Sequence, residues 1–375
     1  MKPNRNAHEE ARRGISLDAS LPGLPDKRLE ADVSFLLSKR NRAPDWDYLI
    51  ARIRRVAAAR PPETPGDLAE TIARLVFADV KTESVEVALR TGCGSPDEEV
   101  LRRVVSRSEI PLGPTVPCGH GRLATRTRLA GEVVKALSRP FHALFPKKRW
   151  TLPAADPARR PPASTTPIPR IFWQTNFTDR CSLPVWLNYR RNRRLSADFE
   201  YRWLGHDARD AYVRNHAPER VARAYFRLTD GAAQADLWRL VALYSEGGVY
   251  LDIDGSLVRP LADILAGRSE VFLWDRKRFS NYFMATVPGN PLFAEFIDCV
   301  VDRIENHHVR RERTVFYVTG PGALEEVLDG RPDTVFLPRQ SVALQGAFTN
   351  EHFQYIDRPN SKWTHNPDFI SVPSD

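Results

Sequence analysis

Apolar residues recur three and four positions apart along much of the first 150 residues, which is the spacing of one face of an α-helix. The two clearest stripes are Trp46, Leu49, Ile50 and Ile53, and then Leu68, Ile72 and Leu75. Prolines at positions 61, 62 and 65 separate the two stripes. We therefore predict a mainly helical accessory region over residues 29–150. The polar residues 1–28 precede it and are predicted to be disordered.

A third apolar stripe runs through a segment rich in arginine and lysine. Its members are Leu129, Val133, Leu137 and Phe141. A basic amphipathic helix of this kind can lie on an anionic membrane, so residues 122–149 are a candidate for peripheral membrane contact. The stripe can equally pack on a neighbouring domain. We favour packing, because Pro140 interrupts the helix before its aromatic end.

The pattern changes in the second half of the chain. Residues 151–167 are rich in proline and alanine and are predicted to form a linker. Residues 168–375 then alternate short apolar runs typical of strands with amphipathic runs typical of helices. The first predicted strand is Ile168–Thr175, and the predicted helices include Glu219–Arg227 and Pro291–Glu305. This order predicts an α/β domain with a mostly parallel sheet.

One helix of this domain carries a charged pair. Apolar positions between residues 233 and 244 have helical spacing and give the helix a face toward the core. Asp236 and Arg239 lie three residues apart, so they share a different face. Gly247 and Gly248 then end the helix, because glycine tolerates the positive φ of a helix C-terminus.

Two aspartates follow directly. The run Val249-Tyr250-Leu251 favours a strand, and Asp252 and Asp254 come after it. Side chains alternate along an extended chain, so these two carboxylates project to the same side. Two converging carboxylates suit a hard divalent cation that is bound together with a diphosphate. The sequence therefore predicts a metal and phosphate site where this strand leaves the core.

Composition limits the partners and the cell compartment that we expect for this protein. The chain has 375 residues with a formal net charge of +8, which fits anionic partners, and we expect no nucleic acid among them. The charged N-terminus lacks the apolar segment of a secretory signal, and no apolar run is long enough to span a bilayer. The cysteines at 93, 118, 181 and 299 lack the spacing of a metal site. We expect a cytoplasmic protein with free thiols.

Several of these blocks together resemble a known family. Residues 168–365 are similar to the DXD-containing sugar transferases of glycosyltransferase family 32, which includes yeast-type initiating mannosyltransferases and bacterial capsular polysaccharide glycosyltransferases. They are more distantly similar to the glucosylating domains of clostridial toxins. The blocks that carry the resemblance, in order, are Ile168–Thr175, Ala235–Arg239, Gly247–Asp254, Thr319–Pro321 and Ser361–Trp363.

The resemblance implies a GT-A fold, a UDP- or GDP-sugar donor and a divalent cofactor, Mn²⁺ or Mg²⁺. It implies that Asp254 holds the metal and that Asp252 joins it and contacts the sugar and ribose. The other donor-binding residues that it implies are Trp173, Asp236, Arg239, Asn281, Ser361 and Trp363. Of these, Trp173 is expected to stack on the nucleobase, and Ser361 and Trp363 to belong to a flap over the diphosphate.

The predicted catalytic residues are Asp252, Asp254 and Arg239. A departing nucleoside diphosphate develops negative charge on its β-phosphate, which the metal and Arg239 can stabilise. The resemblance implies retention at the anomeric carbon. We expect a polysaccharide, lipid-linked or glycolipid acceptor, reached from the cytoplasm and the inner membrane surface. The alternative is a secreted effector that glycosylates a host protein.

Two functions of other classes remain open. The run Leu251–Leu257 also resembles the first motif of haloacid-dehalogenase-like phosphatases, where Asp252 is the nucleophile and Asp254 the general acid/base. That family expects a later pair of aspartates and a lysine, but only Lys277 and Lys362 follow here. In the second alternative the protein is a non-catalytic binding protein, and the two aspartates only cap a turn.

Overall fold

The computed structural model describes most of the chain. The described residues are 7–17, 29–38, 44, 46–59, 64–79, 82–91, 99–106, 119–162, 164–275, 278–307, 314–328, 331, 334–357 and 369–371. They fall into two compact units. The first comprises Met1–Gly113 with Leu328–Pro332, and the second Pro114–Val327 with Asp333–Asp375.

The first unit combines an antiparallel sheet with two helices. In chain order its elements are β1 (Ala7–Leu17), β2 (Leu29–Ser38), α1 (Trp46–Ala59), α2 (Pro65–Asp79), β3 (Ser84–Thr91) and β4 (Glu99–Ser106). The strands lie side by side in chain order, and each pairs antiparallel with the next. Both predicted helical stripes pack into the core of this unit.

The prediction of a mainly helical region is wrong for this unit, although both predicted helices are present. Alternate residues of β2 are buried, which is the period of a strand that covers a core with one face. They are Leu29, Ala31, Val33, Phe35 and Leu37, each at most 4% exposed. Strand β1 also lies inside the segment predicted to be disordered, and its Ile15 and Leu17 are buried in the same core.

The second unit contains the remaining elements. Its strands are β5 (Trp150–Thr151), β6 (Ala155–Asp156), β7 (Ile171–Thr175), β8 (Arg180–Cys181), β9 (Glu200–Leu204), β10 (Gly248–Leu251), β11 (Gly255–Leu257), β12 (Glu270–Asp275), β13 (Arg278–Thr286), β14 (Phe336–Pro338) and β15 (Ala343–Gln345). Its helices are α3 (His120–Leu144), α4 (Leu183–Leu195), α5 (His206–His216), α6 (Glu219–Arg227), α7 (Gly231–Glu246), α8 (Leu261–Leu265), α9 (Pro291–Glu305), α10 (Val315–Val318), α11 (Pro321–Leu328) and α12 (Glu351–Gln354), with a 3-10 turn at Arg339–Ser341.

Seven strands of the described chain form one mixed sheet, in the order β14-β12-β13-β10-β7-β9-β6. The pairs β10–β7, β7–β9 and β12–β14 are parallel, and the other three neighbouring pairs are antiparallel. The α/β class is therefore confirmed, but a mostly parallel sheet is not. The reason is that β13 follows β12 after two residues and returns antiparallel beside β10.

The predicted linker is part of this second unit, which begins at residue 114 rather than 168. Strand β6 pairs with β9 at the edge of the sheet, and β5 pairs with β8. The Asp156 carboxylate accepts hydrogen bonds from Tyr189 Oη and Arg193 Nε, both at 3.1 Å, and Arg193 is 1% exposed. This charged hydrogen bond holds the segment on the unit, which its proline-rich composition did not indicate.

Helix α3 is present where it is predicted and continues through Pro140. It packs closely on the rest of the second unit through small residues. At Gly131 an added Cβ would lie 2.0 Å from the carbonyl oxygen of Ala347, so no larger residue fits there. Three members of its apolar stripe are instead 62, 58 and 65% exposed; they are Leu129, Val133 and Leu137. The second unit therefore leaves this stripe uncovered. No helix within the described ranges is long and apolar enough to cross a membrane.

Candidate active site

Helix α7 carries the first two residues of the site. Its N-terminus is capped by Asp230, whose carboxylate accepts hydrogen bonds from the backbone N–H groups of Ala232 and Ala233 at 2.8 and 3.2 Å. Asp236 and Arg239 share one face as predicted, and they are 8% and 5% exposed. The distance between Arg239 Nη2 and Asp236 Oδ1 is 2.9 Å, so the two side chains form a buried ion pair.

The glycine turn after α7 sets the start of the central strand. Gly247 and Gly248 have φ values of 69° and 99°, in the region that favours glycine. A Cβ at Gly248 would lie 2.6 Å from the carbonyl oxygen of Ile171, so a larger residue would push β10 away from β7. All four residues of β10 are buried. The predicted order of helix, turn and strand is confirmed.

Buried amides fix the loop that follows β10. Gln174 on β7 is completely buried and donates from Nε2 to the carbonyl oxygens of Leu251 and Asp252, each at 3.2 Å. On α4, Asn188 donates from Nδ2 to the carbonyl oxygen of Ile253 at 3.1 Å. These contacts hold the backbone on both sides of the aspartates, so that the two carboxylates line the same cavity.

Arg239 connects the helix residues to the loop residues. Its Nη1 lies 3.3 Å from Asp252 Oδ1 and donates to the carbonyl oxygen of Asn281 at 2.9 Å. Its guanidinium carbon lies 4.3 Å from the centre of the Tyr250 ring, a cation–π contact. Its Nη2 pairs with Asp236, and its Nε donates to the carbonyl oxygen of Ala235 at 3.1 Å. The guanidinium is therefore held on every side and has one fixed orientation.

Asp236 has two further partners besides Arg239. Its carboxylate accepts hydrogen bonds from Asn281 Nδ2 at 3.0 Å and from Thr319 Oγ1 at 3.1 Å. Burial raises the pKa of Asp236 to about 7, and the Arg239 charge opposes that rise. Asn281, a predicted donor-pocket residue, thus lies in the same network. Thr319 belongs to one of the blocks of the resemblance, but no sequence pattern assigns it a role.

Asp254 lies at the other end of the acidic pair. Its carboxylate accepts a hydrogen bond from the side chain of Gln345, while Asp252 accepts one from Tyr250 Oη at 2.6 Å. Burial and the neighbouring Asp252 carboxylate raise the pKa of Asp254 to about 7. Two carboxylates that repel each other in this way favour the binding of a cation between them.

The chemistry of these ligands fits Mn²⁺ or Mg²⁺. Carboxylate oxygens are the ligands that such hard ions prefer. Within the described ranges, however, no three side chains of His, Cys, Asp or Glu converge on one point. The residues Asp252 and Asp254 therefore supply part of a coordination shell, and further oxygen atoms must come from water or from a bound diphosphate.

Both aspartates line a cavity of about 790 Å³. Its wall is formed by the first turns of α7, the ends of β7 and β10, part of β13, residues 315–321 and residues 345–355. Cavities of roughly 300–1,000 Å³ hold ligands of the size of a nucleotide sugar. Asp236, Arg239 and Asn281 line the same cavity. Five predicted site residues are thus brought together around one space.

A residue that the sequence did not single out, Arg209 on α5, also lines this cavity. It is 3% exposed, and Nη1 donates to the carbonyl oxygen of Gly231 at 3.2 Å. Its Nε has no hydrogen-bond partner, and no carboxylate of the described chain forms an ion pair with it. Burial lowers its pKa. A buried cation that no carboxylate contacts directly is costly, which indicates a place for an oxygen-rich ligand.

The predicted base-stacking role of Trp173 does not fit its position. The side chain is 1% exposed, does not line the cavity, and donates from Nε1 to the carbonyl oxygen of Gly247 at 3.0 Å. Its ring packs edge-on against Tyr212 and Trp238. Trp173 is therefore a core residue that supports the glycine turn, and the prediction is wrong.

Another pair of aromatic rings does line the cavity. Phe177 follows β7, and Tyr355 follows α12; their ring centres are 5.8 Å apart with an angle of 8° between the planes. Both side chains are half-buried. The predicted flap residues Ser361 and Trp363 lie outside the described residues.

A comparison with protein families defines the class of protein. Residues 185–271 match the family model described as the glycosyltransferase sugar-binding region containing the DXD motif. This stretch contains Asp236, Arg239, Asp252 and Asp254. The chain is therefore a transferase enzyme of the glycosyltransferase type. The phosphatase and non-catalytic interpretations of the two aspartates are not supported.

Solved structures give weaker similarities. The PaToxG glycosyltransferase is 16% identical over 56% of this chain and 80% of its own, with a TM-score of 0.36. The ligand-free glycosyltransferase domain of the YGT toxin is 14% identical over 40% and 54%, with a TM-score of 0.28. A dihydroneopterin aldolase from Burkholderia thailendensis, bound to guanine, is 14% identical over 27% and 93%, with a TM-score of 0.24. No curated protein matches the chain.

Proposed function

We propose that this enzyme is a metal-dependent hexosyltransferase of the family 32 type, with a GT-A domain that uses a UDP- or GDP-sugar. The observation that carries the proposal is the network of the buried Asp236 and Arg239 with the half-buried Asp252, beside Asp254, on the wall of a cavity of about 790 Å³. It offers carboxylates for a cation and a fixed guanidinium for a phosphate in one space.

Asp254 and Asp252 are the residues that hold the cation, Mn²⁺ or Mg²⁺. When bound, the cation supplies positive charge to the diphosphate of the donor. Two observations support this assignment: the ligand set consists of oxygen atoms, and burial together with repulsion by the Asp252 carboxylate raises the pKa of Asp254. Asp252 is already held by Tyr250 and Arg239, so it keeps its orientation before any ligand binds.

Arg239 acts on the leaving group. Negative charge builds up on the β-phosphate as the bond to the sugar breaks, and a guanidinium that is already fixed stabilises that charge without reorganising. Asp236 positions Arg239 and Asn281. Its Oδ2 accepts one hydrogen bond, from Thr319, so it keeps a lone pair for a hydroxyl group of the donor.

The nucleoside is assigned to the other side of the cavity. Phe177 and Tyr355 take over the aromatic role that was predicted for Trp173, since their rings line the cavity and the Trp173 ring does not. The Arg209 guanidinium donates a hydrogen bond to a carbonyl oxygen of the base or to an oxygen of the phosphates. Ser361 and Trp363 remain predicted donor contacts.

From the family resemblance we infer retention at the anomeric carbon and a polysaccharide, lipid-linked or glycolipid acceptor, with the reaction in the cytoplasm. A protein acceptor is the outcome that would favour the effector alternative. Offering each acceptor class with the same labelled donor separates the two.

The test is donor hydrolysis by the purified protein against a panel of UDP- and GDP-sugars, with Mn²⁺ or with EDTA. We expect release of one nucleoside diphosphate that requires the metal and is lost in Asp254→Asn. The matched control is Asp263→Asn, an exposed aspartate on α8, which should keep full activity. Release that survives EDTA, or that persists in Asp254→Asn, would contradict the proposal.

A further inference from the structure

Helix α3 carries an apolar line that the second unit leaves uncovered. Its members are Leu129, Val133, Leu137 and Leu144, which are 62, 58, 65 and 75% exposed. They are four or seven residues apart, so they follow one line along the helix. Arg122 and Arg126 continue this line toward the N-terminus, which gives it a length of about 33 Å at 1.5 Å per residue. We call this surface the α3 line.

Basic side chains surround the α3 line. The exposed ones in and just after the helix are Arg122, Arg126, Arg128, Arg139, Lys147 and Lys148. None of them forms a salt bridge with another described residue. The helix contains one acidic residue, Glu132, and it pairs with Lys135 at 2.8 Å. The surface therefore combines apolar side chains with an unneutralised positive charge.

The α3 line is not needed to hold the helix in place. The opposite face of the helix already packs on the rest of the second unit through Ala124, Thr127 and Ser138, each at most 3% exposed. Gly131 lies so close to Ala347 that no larger residue fits. Leucine and valine side chains that serve no internal packing are unfavourable in water, and a run of them flanked by arginine is typical of a helix that lies in a lipid interface.

The helix is also directly coupled to the cavity. Its inner face contacts Ala347, and Lys135 Nζ lies 3.4 Å from the carbonyl oxygen of Gly346. The backbone N–H of Gly346 in turn donates to the carbonyl oxygen of Asp254 at 3.1 Å. One helix, about 10 Å across, thus separates the α3 line from the segment that carries Asp254.

We propose that the α3 line docks the enzyme on an anionic phospholipid surface, with its leucine and valine side chains among the upper acyl chains and its arginines on the headgroup phosphates. Docking in this way places the side of the cavity that carries Asp252 and Asp254 close to the membrane. The enzyme can then reach an acceptor that is anchored in lipid; this last step rests on the proposed function, whereas the docking itself does not.

The test is flotation of the full chain with vesicles of phosphatidylcholine containing about one third phosphatidylserine, beside vesicles of phosphatidylcholine alone. We expect at least tenfold stronger partitioning onto the anionic vesicles. The double variant Val133→Asp, Leu137→Asp should lose at least tenfold, as should Arg122→Glu, Arg126→Glu. All four side chains are exposed, so thermal unfolding should not change.

The matched control is Val104→Asp on β4, because Val104 is 62% exposed but lies in the first unit. It should bind vesicles like the wild type. Equal binding by the Val133→Asp, Leu137→Asp variant, or no preference for phosphatidylserine, would overturn the proposal. So would a dimer in sedimentation velocity that the same variant dissociates, because a second copy would then cover the α3 line.

Donor hydrolysis in solution separates this proposal from the proposed function. The two double variants that are expected to lose vesicle binding should hydrolyse the donor at the wild-type rate, since they change no residue of the cavity. A wild-type protein that floats with anionic vesicles but hydrolyses no donor would leave the docking surface in place and refute the proposed function alone.

Discussion

Arg239→Ala removes the one cation that compensates two carboxylates in the network. The Asp236 side chain is 10% exposed and that of Asp252 25%, and both lie within 3.3 Å of the guanidinium. Breaking a buried ion pair costs about 3–5 kcal/mol, most of it here from the deeper Asp236. Since a domain is stable by about 5–15 kcal/mol, this is a large fraction of the total.

Urea unfolding followed by tryptophan fluorescence measures this cost. The signal reports mainly on the second unit, because Trp46 is the sole tryptophan before residue 150. We expect the midpoint to fall by about 1–2 M urea. The matched control is Arg223→Ala, which breaks an exposed pair with Glu219 and should cost at most about 1 kcal/mol.

The pH dependence decides whether lost charge is the cause. Without Arg239, the pKa of Asp236 in the folded protein rises further above its value in the unfolded chain. The extra instability of the variant is then complete above the pKa that Asp236 has in the folded variant. It disappears as the pH falls toward the pKa that Asp236 has in the unfolded chain. The gap in stability between Arg239→Ala and the wild type should therefore be larger at pH 8 than at pH 5.5. A gap of equal size at both pH values would refute this reasoning and indicate lost packing.

Further predictions concern the cavity and the residues around it. Because the pKa of Asp254 is raised to about 7, protons should compete with the metal, and calorimetric Mn²⁺ affinity in the presence of nucleotide should fall about tenfold per pH unit below that value. Arg209→Gln should raise the KM for the donor at least tenfold in hydrolysis assays without lowering the melting temperature, since it removes an unpaired buried charge. Trp173→Ala should cost about 3–5 kcal/mol in urea unfolding and leave the donor KM unchanged. Phe177→Ala should raise the donor KM and cost little in urea unfolding. If instead Trp173→Ala raised the donor KM and Phe177→Ala did not, the stacking role would return to Trp173.

The centre of the site could be predicted because its residues are close in sequence. Asp236 and Arg239 lie one helical turn apart, and Asp252 and Asp254 follow one strand, so elementary periodicity places each pair. Arg209 comes from α5, far along the chain, and it reaches the cavity through the packing of α5 on α7. No local pattern marks it.

Two errors have identifiable causes. Residues 29–38 contain three leucines and one alanine, which favour helices, but their apolar residues alternate with period two, and this was the stronger signal. Trp173 lies on β7, a strand inside the sheet that is covered on both faces. Alternation along such a strand cannot tell which of two buried sides faces the ligand.

The most direct measurement is the paramagnetic resonance of free Mn²⁺ titrated with the protein, with and without UDP or GDP. We expect weak binding of Mn²⁺ alone, because Asp252 and Asp254 supply part of a coordination shell. We expect at least tenfold tighter binding when a nucleoside diphosphate is present, beyond the loss of signal that the nucleotide causes by itself, and no such gain in Asp254→Asn. A signal that the protein leaves unchanged with every nucleotide, or an equal gain in the variant, would contradict this expectation.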